Sequence, residues 1–280
     1  MNRYTNLFSR LADNQAGAFV PFVMLGDPDP ESSEEIIRSL IESGADALEL
    51  GIPFSDPVAD GPVIQAAATR ALAAGVTVST CLQSIRKICH EYPEIPIGLL
   101  VYANLVYTNG VENFYRQVRD AGVDSVLVAD LPLEEVDVCH QQALRHDIAP
   151  VLIAAHNTSA TRLNKIAQRS HGYTYVVTRS GVTGSDSPPE LQQIAGRMLE
   201  QLKQAGAPPA LIGFGISEPA QVQAALNLGA RGVICGSAIV RRIESHLGNT
   251  EQICATISQF VRAMKYATTL SREVERTESM

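Results

Sequence analysis

Asp46-Ala-Leu-Glu-Leu-Gly-Ile-Pro-Phe-Ser-Asp-Pro-Val-Ala-Asp-Gly-Pro-Val-Ile-Gln65 starts as a strand and ends as a helix, with a stiff acidic loop between them. Ala47, Leu48 and Leu50 are apolar, and Glu49 interrupts them. A carboxylate inside a buried strand is costly to ionise. Pro53, Pro57 and Pro62 fix φ and withhold N–H donors, so the loop cannot extend the sheet. Pro62 suits the first turn of a helix over Val63–Ala73. A carboxylate near a strand's carboxyl end, facing a loop that holds Asp56 and Asp60, is how an α/β enzyme places acid/base groups. The plainer alternatives are an ion-pair role for Glu49 and turn roles for the two aspartates.

The same alternation continues along the chain. Strands are expected at Ala18–Leu25, Ile97–Tyr102, Ser125–Ala129, Pro150–Ala154, Tyr173–Val177, Ala210–Gly213 and Gly232–Cys235, each followed by a helical pattern. With the strand bearing Glu49 they make eight. Pro21 suggests an irregular or edge-like stretch in the first. Ser32-Ser33-Glu34-Glu35 provides N-cap residues for the first crossover helix. A helix is expected over Leu133–His146. Three strands are announced alike, by Gly44-Ala-Asp-Ala-Leu, Gly122-Val-Asp-Ser-Val and Gly229-Ala-Arg-Gly-Val. Each is a glycine that ends a helix, followed by the next strand. The strands are near-continuous apolar runs, as in a buried parallel sheet.

At 280 residues the chain has the length of one (β/α)8 TIM barrel. Extra helices are expected at its N-terminal end (Arg3–Ala12) and C-terminal end (Thr250–Thr268). The catalytic domain is read as 1–268, with 269–280 a charged tail expected to be disordered. A doubly wound sheet is the rival architecture, but short, even strands favour closure. Net charge is −8 with no basic block, which argues against nucleic acid and anionic membrane as partners. The N-terminus has no apolar targeting region and no run is long enough to span a bilayer, so a cytoplasmic location is expected. The five cysteines show no metal-binding or disulfide spacing. Lys87, Lys165, Lys203 and Lys265 all fall on helical segments, against a Schiff-base mechanism. Only His156 sits at a strand end, so no histidine-rich metal site is expected.

In a barrel of this kind the strands' carboxyl ends build the site. Those ends carry Phe22, Glu49, Leu100, Tyr102, Leu127, Ala129, Ile153, Tyr175, Phe214 and Ser237. They suit a flat apolar group with few polar handles, although some must be barrel filling. Gly213-Phe-Gly-Ile-Ser217 and Gly236-Ser237 follow the last two strands, where barrels commonly bind phosphate on backbone N–H groups. Gly184 in the sixth loop can add another. That loop, Arg179–Pro189, resembles a lid in which Thr183 reaches Asp56 on closure. The residues alone thus indicate metal-free acid/base chemistry on a phosphate ester with an apolar moiety.

The central stretch from Leu48 to Gln65 resembles the signature of the tryptophan synthase alpha subunit. Ala18–Asp27, Ile97–Leu105, Gly122–Pro132, Gly172–Gly184, Gly213–Ser217 and Gly236–Val240 are similar to it too, so the resemblance covers about Arg3 to Thr268. It implies a lyase that cleaves indole-3-glycerol phosphate to indole and D-glyceraldehyde 3-phosphate by a retro-aldol reaction in tryptophan biosynthesis. Carried over by position, Glu49 is the general acid/base, Asp60 holds the indole N–H and Tyr175 assists near Glu49. Phe22, Leu100, Tyr102, Leu127, Thr183 and Phe214 contact substrate, and Gly184, Gly213, Gly215, Gly236 and Ser237, with Phe214, surround the phosphate. No cofactor is implied in this chain. The resemblance implies a beta-subunit partner that carries pyridoxal phosphate (PLP), usually in an α2β2 assembly, facing residues 53–60 and the loops from Asn104 and Asp130. The departures are His156-Asn-Thr in place of a proline-containing turn, Ser180 where alanine is frequent, and a longer tail. A free-standing lyase that needs no partner is one alternative. A weak catalyst serving mainly as an activator of the beta subunit is the other.

Overall fold

The computed structural model describes residues 3–177, 189–213 and 215–269. In chain order the elements are α1 (Arg3–Asp13), β1 (Ala18–Met24), α2 (Pro30–Glu42), β2 (Leu48–Gly51), α3 (Pro62–Ala73), α4 (Val78–Glu91), β3 (Ile97–Val101), α5 (Ala103–Tyr107), α6 (Val111–Asp120), β4 (Ser125–Val128), α7 (Asp137–Arg145), β5 (Ala149–Pro150), β6 (Ile153–Ala155), α8 (Ala160–Arg169), β7 (Thr174–Val177), α9 (Pro189–Gln204), β8 (Ala210–Gly213), α10 (Pro219–Asn227), β9 (Gly232–Cys235), α11 (Ser237–Glu244) and α12 (Thr250–Tyr266).

All ladders are parallel, in the order β5-β4-β3-β2-β1-β9-β8-β7-β6. β5 and β6 are two halves of what the sequence presents as one fifth strand. The first half pairs with β4 and the second with β7. Between them Val151 N–H donates to Val126 O (3.0 Å), and Tyr175 N–H donates to Leu152 O (3.1 Å). The sheet therefore closes on itself as a TIM barrel with eight strand positions. Closure removes the exposed edges that a parallel sheet would otherwise present.

Pro21 does not mark an edge. β1 is buried along its whole length, with β9 on one side and β2 on the other. The β9 ladder ends at Pro21↔Cys235 and the β2 ladder begins at Phe22↔Glu49. Proline is tolerated because it falls where the chain hands over from one neighbour to the other. The cap of α2 also differs from expectation. Asp29, not a serine, is the N-cap: its side chain accepts from Ser32 N–H, and Pro30 occupies the first turn. α7 begins at Asp137, later than the helical periodicity from Leu133 implies. Directly after the third strand, Ala103–Tyr107 forms the short helix α5, which was not expected from sequence.

The three glycine-led segments share a structural use, and two of them carry an aspartate. Gly44, Gly122 and Gly229 all have positive φ, the left-handed conformation that ends a helix. Asp46 then accepts the Phe19 N–H (2.8 Å), and Asp124 accepts the Ile97 N–H (2.7 Å). Each aspartate so ties the start of its strand to the preceding one. Both are also clamped from outside, Asp46 by Lys265 of α12 (2.6 Å) and Asp124 by Arg3 of α1 (2.8 Å). α1 buries Tyr4, Leu7, Phe8 and Leu11, with Tyr4 packed on Tyr173 at 5.4 Å between ring centroids. Thr269, which the sequence places in the tail, bridges to Ala16. The rest of the tail lies outside the described residues. No helix among the described residues is long and apolar enough to cross a membrane.

Candidate active site

Strand register brings the acidic position to the middle of one face. Glu49 pairs with Phe22 on β1 and with Gly98 on β3. Gly98 has no side chain, and that emptiness is used. A Cβ built there would meet Ser125 Oγ at 2.7 Å, Tyr4 Oη at 3.1 Å and Tyr173 Oη at 3.5 Å. Three hydroxyls thus gather beneath Glu49, and Tyr4 and Ser125 are bonded to each other (2.9 Å).

Glu49 is 1% exposed. The Tyr173 hydroxyl donates to its Oε1 at 2.7 Å. Its Oε2 has no hydrogen-bond partner among the described residues. Burial pushes the carboxyl up from 4.5 to about 7, and the Tyr173 bond partly opposes that rise. A group of this kind exchanges a proton readily near neutral pH. Burial holds Tyr173 and Tyr175 well above the ordinary phenol range, so both stay neutral donors.

Glu49 lines a cavity of about 480 Å³ at the carboxyl ends of the strands. Phe22, Leu100, Leu127, Ala129, Ile153, Tyr175 and Ile234 form its apolar wall, and Asp60 and Gly61 close one side. Asp60 is half-buried, and burial raises its carboxyl while the Tyr102 hydroxyl lowers it. Tyr102 itself does not line the cavity. It stacks on Phe54 (5.4 Å between centroids) and its hydroxyl accepts the Ala59 N–H (3.2 Å), so it props the acidic loop from below.

Gly215, Ile216, Ser217, Gly236, Ser237 and Ala238 form the far end of the cavity. There α11 begins, and the first turn of a helix leaves backbone N–H groups without partners within the helix. Gly213 does not line this end. It lies against Tyr175, whose hydroxyl and ring would clash with a Cβ at that position. Thr183, Gly184, Phe214, Ser180 and the expected lid lie outside the described residues. The turn holding His156 and Asn157 is closed by Thr158, whose Oγ1 accepts the Ala155 N–H (3.0 Å), and neither residue lines the cavity.

Tyr173, Ile234 and Arg241 belong to this site and were not singled out from sequence. The signal for Tyr173 was available. Alternate residues of a strand share a face, so Tyr173 and Tyr175 both point inward and either could meet Glu49. The structure brings Tyr173 to the carboxylate and leaves Tyr175 on the cavity wall. No group of three or more His, Cys, Asp or Glu side chains among the described residues could hold a metal ion.

Comparison with known proteins adds to this geometry. A family model described as tryptophan synthase alpha chain matches residues 8–269. The tryptophan synthase alpha chain of Shewanella oneidensis is 52% identical over 267 residues, covering 95% of this chain and 95% of that protein. That of Salmonella paratyphi C is 54% identical, covering 95% and 99%. The crystal structure of tryptophan synthase subunit alpha from Legionella pneumophila superposes with a TM-score of 0.86 at 32% identity, covering 96% of this chain and 98% of that one. A chain from the Pyrococcus furiosus tryptophan synthase a2b2 complex gives 0.80 at 32% identity, covering 89% and 98%.

Proposed function

The chain belongs to the tryptophan synthase alpha chain family, and we propose that Glu49, Asp60 and the glycine-rich far end divide the work of that family's reaction. The reaction is the alpha reaction of tryptophan biosynthesis, a lyase step that splits indole-3-glycerol phosphate into indole and D-glyceraldehyde 3-phosphate. The observation that carries the division is the state of Glu49: one oxygen fixed by Tyr173, the other without a partner, and the carboxyl raised to about 7 beside the cavity.

In this scheme the protonated Glu49 gives its proton to the indole ring carbon at the scissile bond. The positive charge that develops on the ring nitrogen is met by Asp60, which accepts the indole N–H. Glu49, now a carboxylate, takes the proton of the adjacent glycerol hydroxyl. The carbon–carbon bond breaks, its electrons return to the ring, and the hydroxyl carbon becomes the aldehyde. One group first gives and then regains a proton, so the cycle closes. The apolar wall formed by Phe22, Leu100 and Leu127 holds the ring and excludes water. Gly215, Gly236 and Ser237, with Gly184 and Phe214 of the sequence reading, take the phosphate.

A beta subunit is the proposed partner, in an α2β2 assembly like that of the Pyrococcus furiosus complex. Loops at the same end of the barrel expose Val58 (79%) and Tyr107 (45%), along with Asp56, Asn104 and Asp130. Apolar side chains exposed beside polar ones suit a docking face. Pyridoxal phosphate is placed in that partner, since Lys87, Lys165, Lys203 and Lys265 lie on α4, α8, α9 and α12 and none lines the cavity.

The test is indole release from indole-3-glycerol phosphate by wild type, Glu49→Gln and Asp60→Asn, with and without a beta subunit. Loss of roughly 10²–10⁴-fold in either variant is the expected result. A Glu49→Gln enzyme that retains its rate would overturn the assignment of the proton transfers.

A further inference from the structure

Three arginines stand near the phosphate end of the cavity, and two are already engaged. Arg70 on α3 is bonded to Asp27 (2.7 and 3.0 Å) and to Glu244 (3.3 Å). Arg242 on α11 donates to Ala238 O (2.6 Å) and lies 3.7 Å over the Phe260 ring. Arg241 differs: it lines the cavity and is exposed, and its guanidinium has no hydrogen bond or ion pair among the described residues. It is also the one cationic side chain among the described residues of the cavity wall, where Glu49 and Asp60 are the anions.

Position explains where that charge points. Arg241 is four residues after Ser237, one helical turn along the same face of α11. Side chains on a helix lean toward its N-terminus, which here means toward Gly236 and Ser237. A dianionic phosphate approaching a chain of net charge −8, past two acidic side chains, meets an unfavourable field. An unpaired guanidinium at the rim reverses the local sign.

We propose that Arg241 recruits the phosphate of the substrate, acting as an electrostatic guide beside the backbone N–H groups and not on the reacting carbon. The proposal rests on the phosphate end of the cavity being where the functional reading puts it. Glu49 and Asp60 perform the chemistry, and Arg241 raises the rate at which a doubly charged ester enters and stays. Guidance of this kind acts on association, is screened by salt, and depends on charge more than on fork geometry.

The experiment measures kcat and KM for indole-3-glycerol phosphate, and competitive inhibition by inorganic phosphate, in wild type, Arg241→Gln, Arg241→Lys and Ser237→Ala. Each is run at about 0.05 M and about 0.5 M potassium chloride, on either side of a Debye length of roughly 10 Å. The expected result for Arg241→Gln is a loss of about three- to tenfold in kcat/KM, carried by KM, with an equal weakening of phosphate inhibition. The loss shrinks at high salt, and lysine restores most of it. A change in kcat alone, a salt-independent loss, or no change in KM while Ser237→Ala weakens phosphate inhibition overturns the role of Arg241. If Ser237→Ala also leaves phosphate inhibition untouched, the failure belongs to the placement of the phosphate.

Discussion

The Tyr173 hydroxyl lies 2.7 Å from Glu49 Oε1, while Glu49 Oε2 is buried with no partner among the described residues. One bond therefore fixes the carboxylate and leaves its second oxygen for substrate. That bond favours the charged form, because a donor stabilises a carboxylate more than a carboxylic acid. Replacing Tyr173 by phenylalanine removes the downward influence on a carboxyl already raised to about 7 by burial. The limb of the kcat–pH profile that reports Glu49 is expected to move to higher pH, because the proton-donating form then persists to higher pH. A profile that keeps its position would show that Tyr173 does not tune Glu49.

Glu49→Gln is expected to slow catalysis by roughly 10²–10⁴-fold and stabilise the fold at once. The unfolded carboxyl titrates near 4.5 and the folded one near 7. Between those values the folded state holds the proton more tightly, so stability falls as pH rises. Above the folded value the buried charge costs about 3 kcal/mol in full. Glutamine carries no such charge. Denaturant melts should show the variant more stable than wild type at about pH 8, with the gap closing toward about pH 4.

Gly213→Ala is expected to destabilise the protein by about 1–3 kcal/mol through overpacking. The added Cβ would clash with the Tyr175 hydroxyl and its ring carbon, so the ring must shift into the cavity that it lines. Tyr175→Leu removes the obstacle. The two changes should be non-additive in urea melts, the double variant recovering part of the loss. Simple additivity would mean that the strain lies elsewhere.

Arg70→Ala leaves Asp27 buried without its cation. Asp27 is fully buried and Arg70 engages both its oxygens. Burial already pushes the Asp27 carboxyl up, and Arg70 is what opposes it. Removing one partner of such a pair costs roughly 3 kcal/mol, given that solvent reaches the arginine. Thermal melts should show the loss, and Arg70→Met with Asp27→Asn should recover much of it.

Much of the barrel was legible because its signals are local. The limits of α4, β8 and β9 follow from apolar periodicity and from the glycines and caps that punctuate it. Glu49 and Asp60 were legible as a pair because a rigid loop joins them in sequence. The N-cap of α2 and the short helix α5 were missed, since each depends on one or two residues whose turn chemistry admits several outcomes. Pro21 misled for a different reason: the cost of a missing N–H depends on which neighbour stands opposite, and sequence does not record that.

The sequence by itself determined eight apolar strands alternating with helices, the acid-bearing strand and loop, and the glycine-rich turns after the last strands. These follow from short-range rules of periodicity, chain stiffness and allowed backbone angles. Tertiary structure alone decided that Tyr173 and not Tyr175 bonds Glu49, that Tyr102 props the loop, and that Arg241 of three arginines is left free at the rim. Those outcomes depend on depth within the barrel and on which side chains on separate elements reach one another. Closing the sheet sets both, through contacts such as that of Tyr173 with Glu49, 124 positions apart.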